Sequence, residues 1–343
     1  MKRVLITGGA GFIGSNLAHR LLSLGVPVRI LDNLSRRGSR ENLMWLRHDF
    51  PEDLEVVVGD VRKHNDIEAA IQGVDQVFHF AAQVAVTSSV TDPETDFDIN
   101  ARGTLNVLEA IRHQLDPPGL IFTSTNKVYG ALEDIDLERR GDRYEPRDPN
   151  YREGVDESRP LDFHSPYGCS KGAADQYIRD YARIYGLSTI VFRMSCIYGP
   201  RQFGNEDQGW VAHFLMQAMR GEAISIYGDG AQVRDILFAG DLVDAFLQAE
   251  SNIERLAGRA FNIGGGAANS ISLLDLLRKI DDLSPYPTQV RFDEWRPGDQ
   301  RYYVSDCSSF REATGWSPEV GVNEGIRRLH EWVARRAAVM QEV

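Results

Sequence analysis

Short runs of β-branched and aromatic residues alternate with amphipathic segments along the first 195 residues of the chain. The apolar runs predict strands at residues 4–6, 28–31, 56–58, 77–80, 120–123 and 189–193. The segments between them, such as residues 16–24, 66–71 and 103–112, carry apolar side chains at helical spacing. Strands that are apolar almost throughout and are separated by helices are typical of a parallel sheet covered on both faces. We therefore predict an α/β fold with a doubly wound parallel sheet.

The pattern becomes less regular after residue 195, where Gly-Pro, Gly-Asp-Gly and Gly-Gly-Gly turns separate short elements. We predict a nucleotide-binding domain at residues 1–195 and a smaller C-terminal α/β portion, which binds substrate, at residues 196–343. Residues 235–262 include a helical pattern and are expected to return to the first domain. Residues 131–157 hold fifteen Asp, Glu, Lys or Arg side chains among 27 residues. That density predicts a solvated insertion outside the core, either a mobile surface loop or a lid.

Composition argues against several classes of protein. The chain has 343 residues and a formal net charge of −12, which argues against broad nucleic-acid binding. Three cysteines, Cys169, Cys196 and Cys307, show no C-x-x-C spacing, so neither a disulfide framework nor a metal site is expected. The chain begins directly with a strand, and no apolar run reaches membrane-spanning length. We therefore expect no signal peptide, no membrane association and a cytoplasmic location.

A glycine-rich loop separates the first predicted strand from the first predicted helix. Its Gly-x-x-Gly-x-x-Gly pattern at Gly8, Gly11 and Gly14 permits a tight turn, and the following helix N-terminus faces the charge of a bound pyrophosphate. Asp32 ends the second predicted strand, where a carboxylate binds adenosine ribose hydroxyls and repels a ribose phosphate. The combination predicts a Rossmann domain that binds NAD, and Arg36 and Arg37 nearby leave NADP as the alternative.

Tyr167 and Lys171 lie four residues apart and share one face if their segment is helical. An ammonium beside a phenol favours the phenolate and lowers a pKa that is ordinarily near ~10. Such a phenol can take the proton of a sugar hydroxyl while hydride leaves the same carbon. The same spacing occurs on ordinary surface helices, so the pair acquires its meaning only together with the other motifs.

Five ordered motifs run along the chain: the glycine loop, His-Phe-Ala-Ala at residues 79–82, Asn100, Ser-Thr-Asn-Lys-Val-Tyr-Gly at residues 124–130, and the Tyr167 and Lys171 pair. Together they resemble the extended short-chain dehydrogenase/reductase family, whose members modify nucleotide sugars with a bound nicotinamide cofactor. The resemblance covers nearly the whole chain. It is closest to members that epimerise CDP-sugars at C2, in segments 124–130, 161–177, 201–203 and 207–210. It implies an isomerase with tightly bound NAD, no net redox change, and a homodimeric or homotetrameric state.

The resemblance also implies roles for single residues. Tyr167 is the expected acid/base, Lys171 binds the nicotinamide ribose and depresses the tyrosine pKa, and Thr125 binds the substrate hydroxyl, with Ser124 as its alternative. The implied cofactor-binding residues follow the glycine loop and the strand ends: Gly8, Gly11, Phe12, Ile13, Gly14, Asp32, Asn33, Asp60, Val61, Ala81, Ala82, Asn100, Tyr167, Lys171 and Arg193. Within this set Asp60 is alternatively a helix cap, and Asn100 and Arg193 are alternatively structural.

A diphosphate substrate requires cations, which an acidic protein must concentrate locally. Arginines in polar, glycine-flanked segments after residue 195 are predicted to bind it, or alternatively to form surface ion pairs with Asp235 and Asp299. The predicted substrate-binding residues are Ser124, Thr125, Asn126, His164, Arg201, Gln208, Arg234 and Arg301. His164 is alternatively a structural group.

The implied chemistry is a transient oxidation. The C2 hydroxyl becomes a planar ketone, the ketone turns its other face, and the same hydride returns; the choice of C2 rests on the resemblance. Related 4,6-dehydratases carry Asp-Glu after the catalytic threonine, whereas this chain has Asn126 and Lys127, so dehydration is not expected. A 4-epimerase of UDP- or GDP-sugars is the alternative enzyme. A non-catalytic nicotinamide sensor is disfavoured because the Tyr, Lys and Thr set is present.

Overall fold

The computed structural model describes residues 3–296 and 299–341 and contains a central seven-stranded sheet. In chain order, its strands are β1 (Val4–Thr7), β2 (Val28–Asp32), β3 (Leu54–Val58), β4 (Gln76–His79), β5 (Gly119–Thr125), β6 (Leu137–Arg140), β7 (Arg143–Pro146), β8 (Thr189–Met194), β9 (Cys196–Tyr198), β10 (Ile224–Tyr227), β11 (Val233–Phe238), β12 (Ala260–Ile263), β13 (Ser270–Ser272), β14 (Val290–Asp293) and β15 (Tyr302–Tyr303). The central sheet has the order β12-β8-β5-β4-β1-β2-β3, and all its pairs are parallel. The predicted doubly wound parallel sheet is confirmed.

Helices cover both faces of this sheet. In chain order, the α-helices of the described residues are α1 (Phe12–Ser23), α2 (Ser39–Asp49), α3 (His64–Ile71), α4 (Val86–Thr91), α5 (Pro93–Phe97), α6 (Gly103–Arg112), α7 (Ser165–Tyr185), α8 (Trp210–Ala218), α9 (Ala239–Ser251), α10 (Ile253–Leu256), α11 (Leu273–Asp281), α12 (Ser308–Thr314) and α13 (Val322–Gln341). Alternate strand residues point to opposite faces. Ile190 therefore belongs to the apolar cluster that includes side chains of α1 and α9, whereas Val191 belongs to the cluster on the other face, which includes side chains of α3, α6 and α7. Apolar side chains on both faces explain why these strands read as continuous hydrophobic runs.

A second, smaller set of sheets follows the central one in the chain. Strand β11 pairs with β9, β13 and β15, while β10 pairs with β14. Helices α8, α11 and α13 contribute to a separate apolar core with these strands. Helix α9 and strand β12 belong instead to the central sheet layer, where β12 pairs with β8. The division of the chain at residue 195 stays a prediction. Within residues 3–296 and 299–341, no helix is both long and apolar enough to cross a membrane.

The charged segment at residues 131–157 is not wholly outside the core, and that expectation is wrong. Strands β6 and β7 form an antiparallel hairpin in it. Leu132, Ile135 and Val155 are buried and pack with Tyr129 and Tyr303. A few apolar residues suffice to anchor this segment to the core, because they pack against aromatic side chains from other parts of the chain.

Candidate active site

A cavity of about 950 Å³ lies at the carboxyl ends of the central strands and is lined from the second set of sheets as well. Strands β1 and β4 are neighbours there, yet β2 follows β1 on the opposite side, which is the position where doubly wound sheets bind ligands. The cavity brings together most of the predicted residues: Gly8, Gly11, Phe12, Ile13, Gly14, Asp32, Asn33, Asp60, Val61, Ala81, Ala82, Ser124, Thr125, Asn126, Tyr167, Lys171, Arg201, Gln208 and Arg234.

The glycine loop is shaped for close approach of a dinucleotide. Gly8 has φ of +68°, and a Cβ atom there would lie 2.7 Å from the backbone nitrogen of Ala81. A Cβ atom on Gly14 would lie 2.4 Å from the carbonyl oxygen of Gly8. Helix α1 starts after Gly11 with no side-chain cap and no acidic residue in its first turn. Its amide groups are therefore available to an anion, and these residues fit the pyrophosphate of NAD.

Two carboxylates lie at the edge of the cavity, one at the end of β2 and one just after β3. Asp32 accepts hydrogen bonds from the backbone nitrogens of Ala10 (3.0 Å) and Leu34 (2.8 Å). Burial raises the pKa of Asp32, and these backbone donors oppose that shift. Asp60 accepts from the side chains of Arg62 and Asn33, and hydrogen bonds from Arg62 hold its pKa well below the ordinary value. Asp32 is thus positioned to bind a ribose, whereas both oxygens of Asp60 already accept hydrogen bonds from Arg62 or Asn33.

Tyr167 and Lys171 lie one turn apart on α7 and both line the cavity. Only 9% of Tyr167 and 3% of Lys171 is exposed. Thr125, the last residue of β5, also lines the cavity, and its hydroxyl acts to lower the pKa of Tyr167. The Lys171 Nζ atom lies 4.0 Å from the centroid of the Phe122 ring. The structure thus places a phenol, a hydroxyl and an amine in one water-poor corner at the end of β5.

The pKa of Tyr167 is not lowered by the protein alone, contrary to the sequence-based expectation. The pKa of Tyr167 is raised to about 12. Burial is the main cause and the charge of Asp96 adds to it, while Thr125 and Arg36 oppose the shift. Burial likewise lowers the pKa of Lys171 to about 7, against the opposing charges of Asp175 and Asp96. The physical reason is that each charged form loses its hydration in this corner, and spacing along a helix does not reveal that loss.

A second group of polar side chains faces the corner from the substrate side. The Arg234 Nη2 atom donates to Asp299 Oδ1 at 2.7 Å, and Lys127 Nζ lies 3.7 Å from the same oxygen. Ser124 is buried at 3% exposure, and its hydroxyl has no hydrogen-bond partner within the described part of the chain. Asn126 donates to Gln300 Oε1 at 3.3 Å. Arg234 therefore forms an ion pair with Asp299, but both residues line the cavity, so the pair is not the surface ion pair of the alternative interpretation.

Two arginines that line the cavity, Arg36 and Arg201, contact distant parts of the chain. Arg36, from the loop after β2, donates to Gln208, which precedes α8. Arg201 stacks over the Trp45 ring, with its guanidinium carbon 3.9 Å from the ring centroid. Arg36 thus joins the cofactor side of the cavity to the predicted substrate side.

Asn100 and Arg193 do not line the cavity, and the structural alternative holds for both. Asn100 accepts from the backbone nitrogen of Gln83 and donates to its carbonyl oxygen, both at 3.0 Å, so it braces the loop that follows β4. Arg193 donates to both oxygens of Asp175 at 2.9 and 3.0 Å, and it donates to Tyr129 Oη at 3.2 Å. A guanidinium that is paired and buried in this way ties β8 to α7 and has little left to offer a ligand.

His164 and Arg301 also lie outside the cavity, which corrects their predicted roles. His164 precedes α7, is exposed, and lies 3.0 Å from Asp162. His164 thus lies before the first turn of α7, whereas Tyr167 lies on the helix and lines the cavity. Arg301 is exposed and lies over the rings of Tyr144 and Trp295. Its neighbour Gln300 is buried, and successive side chains of an extended segment point to opposite sides.

Sequence reasoning missed two residues of the substrate side, Arg296 and Tyr227. Arg296 lines the cavity and places its guanidinium carbon 3.7 Å from the centroid of the Tyr227 ring. Arg296 shares the signal that selected the other arginines, since it lies in the polar, glycine-containing segment at residues 294–299. Tyr227 carried no such signal, because its strand resembles any half-buried strand.

The fold and the site define a class of enzyme: a nicotinamide-dependent enzyme whose cavity contains a tyrosine and a lysine on one helix. The NAD dependent epimerase/dehydratase family matches residues 4–264 of the chain. The chain belongs to this family, and its cofactor is NAD. The predicted resemblance and the predicted cofactor are therefore confirmed.

Individual relatives cover almost the whole chain. CDP-paratose 2-epimerase of Salmonella typhi is 45% identical over 97% of this chain and 99% of its own length. UDP-glucose 4-epimerase of Mycolicibacterium smegmatis is 33% identical over 98% of this chain and 99% of its own. The solved structure of Thermus thermophilus UDP-glucose 4-epimerase in complex with NAD has a TM-score of 0.80, at 33% identity over 97% of this chain and 99% of that chain.

Proposed function

We propose that the protein is an NAD-dependent 2-epimerase of CDP-sugars that interconverts CDP-paratose and CDP-tyvelose. The observation that carries this proposal is 45% identity to a CDP-paratose 2-epimerase across 97% of the chain. The Tyr167, Lys171 and Thr125 set, gathered at one end of the cavity, supports an active enzyme rather than a nicotinamide sensor. The proposed reaction is an isomerisation with no net redox change.

The residues that would hold NAD are those of the glycine loop, Asp32 and the loop after β4. The α1 N-terminus would take the pyrophosphate, and Asp32 the adenosine ribose. NAD, when bound, supplies the acceptor for hydride and a positively charged ring. Lys171 would donate to the nicotinamide ribose from the corner that it shares with Tyr167. The tight retention of NAD stays a proposal, and it follows from a cycle that returns its hydride.

The acid/base work falls to Tyr167. Its phenol oxygen would take the proton of the C2 hydroxyl and give it back after the ketone has turned. Thr125, which lines the cavity together with Tyr167, would hold that hydroxyl in place, and the unpartnered Ser124 hydroxyl is the alternative. With a pKa of about 12, the buried Tyr167 is almost wholly protonated at neutral pH, and a neutral phenol is a poor base. The reaction therefore requires added positive charge next to Tyr167 to favour its phenolate.

The groups next to Thr125 do not suit dehydration. Asn126 and Lys127 occupy the short 3₁₀ turn Asn126–Tyr129 directly after Thr125, and both line the cavity. An amide cannot deliver a proton to a leaving hydroxyl, and the ammonium of Lys127 lies 3.7 Å from Asp299. We propose that the cluster of Lys127, Arg234 and Asp299, with one net positive charge, faces the diphosphate of the substrate.

The alternative function is a 4-epimerase of UDP-sugars. It is favoured by the 33% identity to the M. smegmatis UDP-glucose 4-epimerase across 98% of this chain. The cytoplasmic location and a homodimeric or homotetrameric state stay proposals in either case, and they rest on cysteine usage and on the family resemblance.

The test is a proton NMR assay of the purified enzyme in deuterated water, with CDP-paratose, CDP-glucose and UDP-glucose offered separately. We expect inversion at C2 of a CDP-sugar with no deuterium at the inverted carbon. Inversion at C4 of UDP-glucose would favour the alternative, and deuterium at C2 would refute hydride return. Tyr167→Phe is expected to be inactive. Tyr177→Phe, which changes an exposed tyrosine of the same helix, is the matched control.

A further inference from the structure

A buried polar cluster lies behind the turn of α7 that carries Tyr167 and Lys171. Its centre is Asp96 on α5, a carboxylate with no exposed surface. Ser170, between the two functional residues in sequence, donates to Asp96 Oδ2, and Asn100 Nδ2 donates to Asp96 Oδ1 at 3.1 Å. The same Nδ2 atom lies 3.0 Å from Ser170 Oγ and 3.0 Å from the Gln83 carbonyl oxygen, so its two hydrogens are shared among three acceptors. The cluster therefore links the turn of α7 to the loop that lines the cofactor end of the cavity.

The hydrogen bonds of this cluster suit the ionised form of Asp96, whereas burial raises the pKa of its carboxyl. Both neighbours donate to it, so its oxygens serve only as acceptors. The carboxylate is not needed to cap α5, because Asp92 caps that helix by accepting from the Thr95 nitrogen. Within the described residues, no Arg, Lys or His forms a salt bridge with Asp96. A buried anion in this setting requires a compensating charge nearby.

Two anions, Asp175 and Asp96, oppose the burial of the Lys171 ammonium. Asp175, on the same helix, also accepts two hydrogen bonds from Arg193. His79, on β4, is neutral because burial and Lys171 lower its pKa to about 3. Tyr167 is faced by Asp96 and by Arg36. Asp96 is therefore the one of the two anions near Lys171 that has no salt bridge of its own within the described residues.

We propose that Asp96 is a positioning residue of the active site, whose carboxylate holds the Tyr167 and Lys171 turn through Ser170 and supplies the counter-charge of the Lys171 ammonium. The proposal rests on the proposed roles of Tyr167 and Lys171. Asp96 touches neither substrate nor cofactor in this arrangement. It acts through Ser170 and through its charge, and these two actions can be separated by substitution.

Asp96→Asn removes the charge and keeps the shape and the hydrogen bonds. The new amide oxygen can accept from Asn100, and its nitrogen can donate to Ser170, which then donates to the Tyr167 carbonyl oxygen 3.2 Å away. Ser170→Ala does the reverse, since it removes a hydrogen bond and keeps the carboxylate. Glu94→Gln, an exposed change of the same chemical kind on α5, is the matched control. Asp96→Ser, a smaller neutral side chain, is a second charge-removing variant in case the amide prevents folding.

The first readout does not depend on any enzymatic activity. The chain has five lysines, so ¹³Cε-lysine NMR of the cofactor-free protein resolves few signals, and Lys171→Met assigns the relevant one. We expect Lys171 to titrate near pH 7 in the unsubstituted protein. Asp96→Asn and Asp96→Ser should lower that pKa by about 1 unit or more, because they remove an opposing charge. Ser170→Ala and Glu94→Gln should leave it in place. An unchanged Lys171 pKa in both Asp96 variants would overturn the proposal.

The second readout is the pH profile of epimerisation by the NAD-loaded enzyme. Asp96 raises the pKa of both Tyr167 and Lys171. Its removal should therefore move both limbs of the profile toward acid, by about 1 pH unit. A purely structural role would lower the rate at every pH without moving the limbs, and that result would overturn the proposal. If no substrate is turned over by the unsubstituted enzyme, the proposed function fails, while the NMR titration still decides the role of the Asp96 charge.

Discussion

Breaking the ion pair of Arg193 with Asp175 by Arg193→Met is expected to destabilise the protein strongly. The guanidinium and the carboxylate are 3% and 0% exposed, and two hydrogen bonds of 2.9 and 3.0 Å join them. Methionine fills similar volume but leaves the Asp175 carboxylate buried and unpaired except for Gln176, which donates to it at 2.8 Å. Tyr129 loses the donor at 3.2 Å but keeps its own bond to Asn262 at 2.7 Å.

The magnitude follows from the cost of an uncompensated buried charge. Removing one partner of a buried ion pair costs about 3–5 kcal/mol. The unfolding entropy of a chain of 343 residues is about 0.7 kcal/mol/K, so this loss lowers Tm by about 4–7 °C. Replacing both partners, as in Arg193→Met with Asp175→Leu, should recover most of the loss, because two apolar side chains of similar volume satisfy each other.

The assay is denaturant and thermal unfolding of the cofactor-free protein at neutral pH, followed by circular dichroism. Arg183→Met is the control, because it breaks an exposed pair of α7, with Asp180, that is expected to contribute less than about 1 kcal/mol. The reasoning is refuted if Arg193→Met costs less than about 1 kcal/mol, or if the double variant is as unstable as the single one. Stability is the chosen readout because Asp175 also faces Lys171, so turnover would respond to two effects at once.

Further outcomes are expected at the site itself. Tyr167→Phe should lower kcat by about 10²-fold or more while released NAD, measured by absorbance after denaturation, stays unchanged; lost NAD would indicate a structural role. Gly14→Ala should reduce retained NAD, because its Cβ atom would lie 2.4 Å from the Gly8 carbonyl oxygen, and undiminished retention would contradict the fit of the loop. Lys171→Met should raise the free energy of unfolding of the cofactor-free protein, and by more at pH 6 than at pH 10. The pKa of Lys171 falls from its ordinary value to about 7 on folding, so the unfolded state binds more protons than the folded state between these two pKa values. Burial of the Lys171 ammonium therefore destabilises the folded state most below pH 7. An equal increase in the free energy of unfolding at both pH values would refute this. Arg234→Ala should weaken nucleotide-sugar binding, measured by calorimetry, far more than NAD binding, and equal losses would mean that it is structural.

Much of the cofactor half of the molecule was predictable because its signals are local in sequence. The glycine loop is a contiguous motif between a strand and a helix, and Tyr167 and Lys171 are related by helical spacing alone. The prediction for the insertion at residues 131–157 was wrong because the burial of its apolar side chains depends on residues distant in the sequence. Its buried side chains pack on Tyr303, far along the chain, and composition does not show such a partner.

The substrate half was predicted less well. Arginines could be selected by residue type and flanking glycines, and Arg201 and Arg234 line the cavity as expected. Arg301 met the same criteria but faces away, and Arg296 met them and was missed. Residue type indicates what a side chain can bind, whereas strand direction and loop path decide whether it faces the cavity.

The sequence alone therefore determined the parallel sheet, the nucleotide loop and the placement of Tyr167 and Lys171 on one helix, because periodicity and contiguous motifs encode them within a few residues. Only the tertiary structure decided how these groups are charged and held. Asp96 and Ser170 are 74 positions apart, Arg193 and Asp175 are 18 apart, and Arg234 and Asp299 are 65 apart. The pKa of Tyr167 rises rather than falls because burial, which every surrounding element contributes to, outweighs the groups that favour its phenolate.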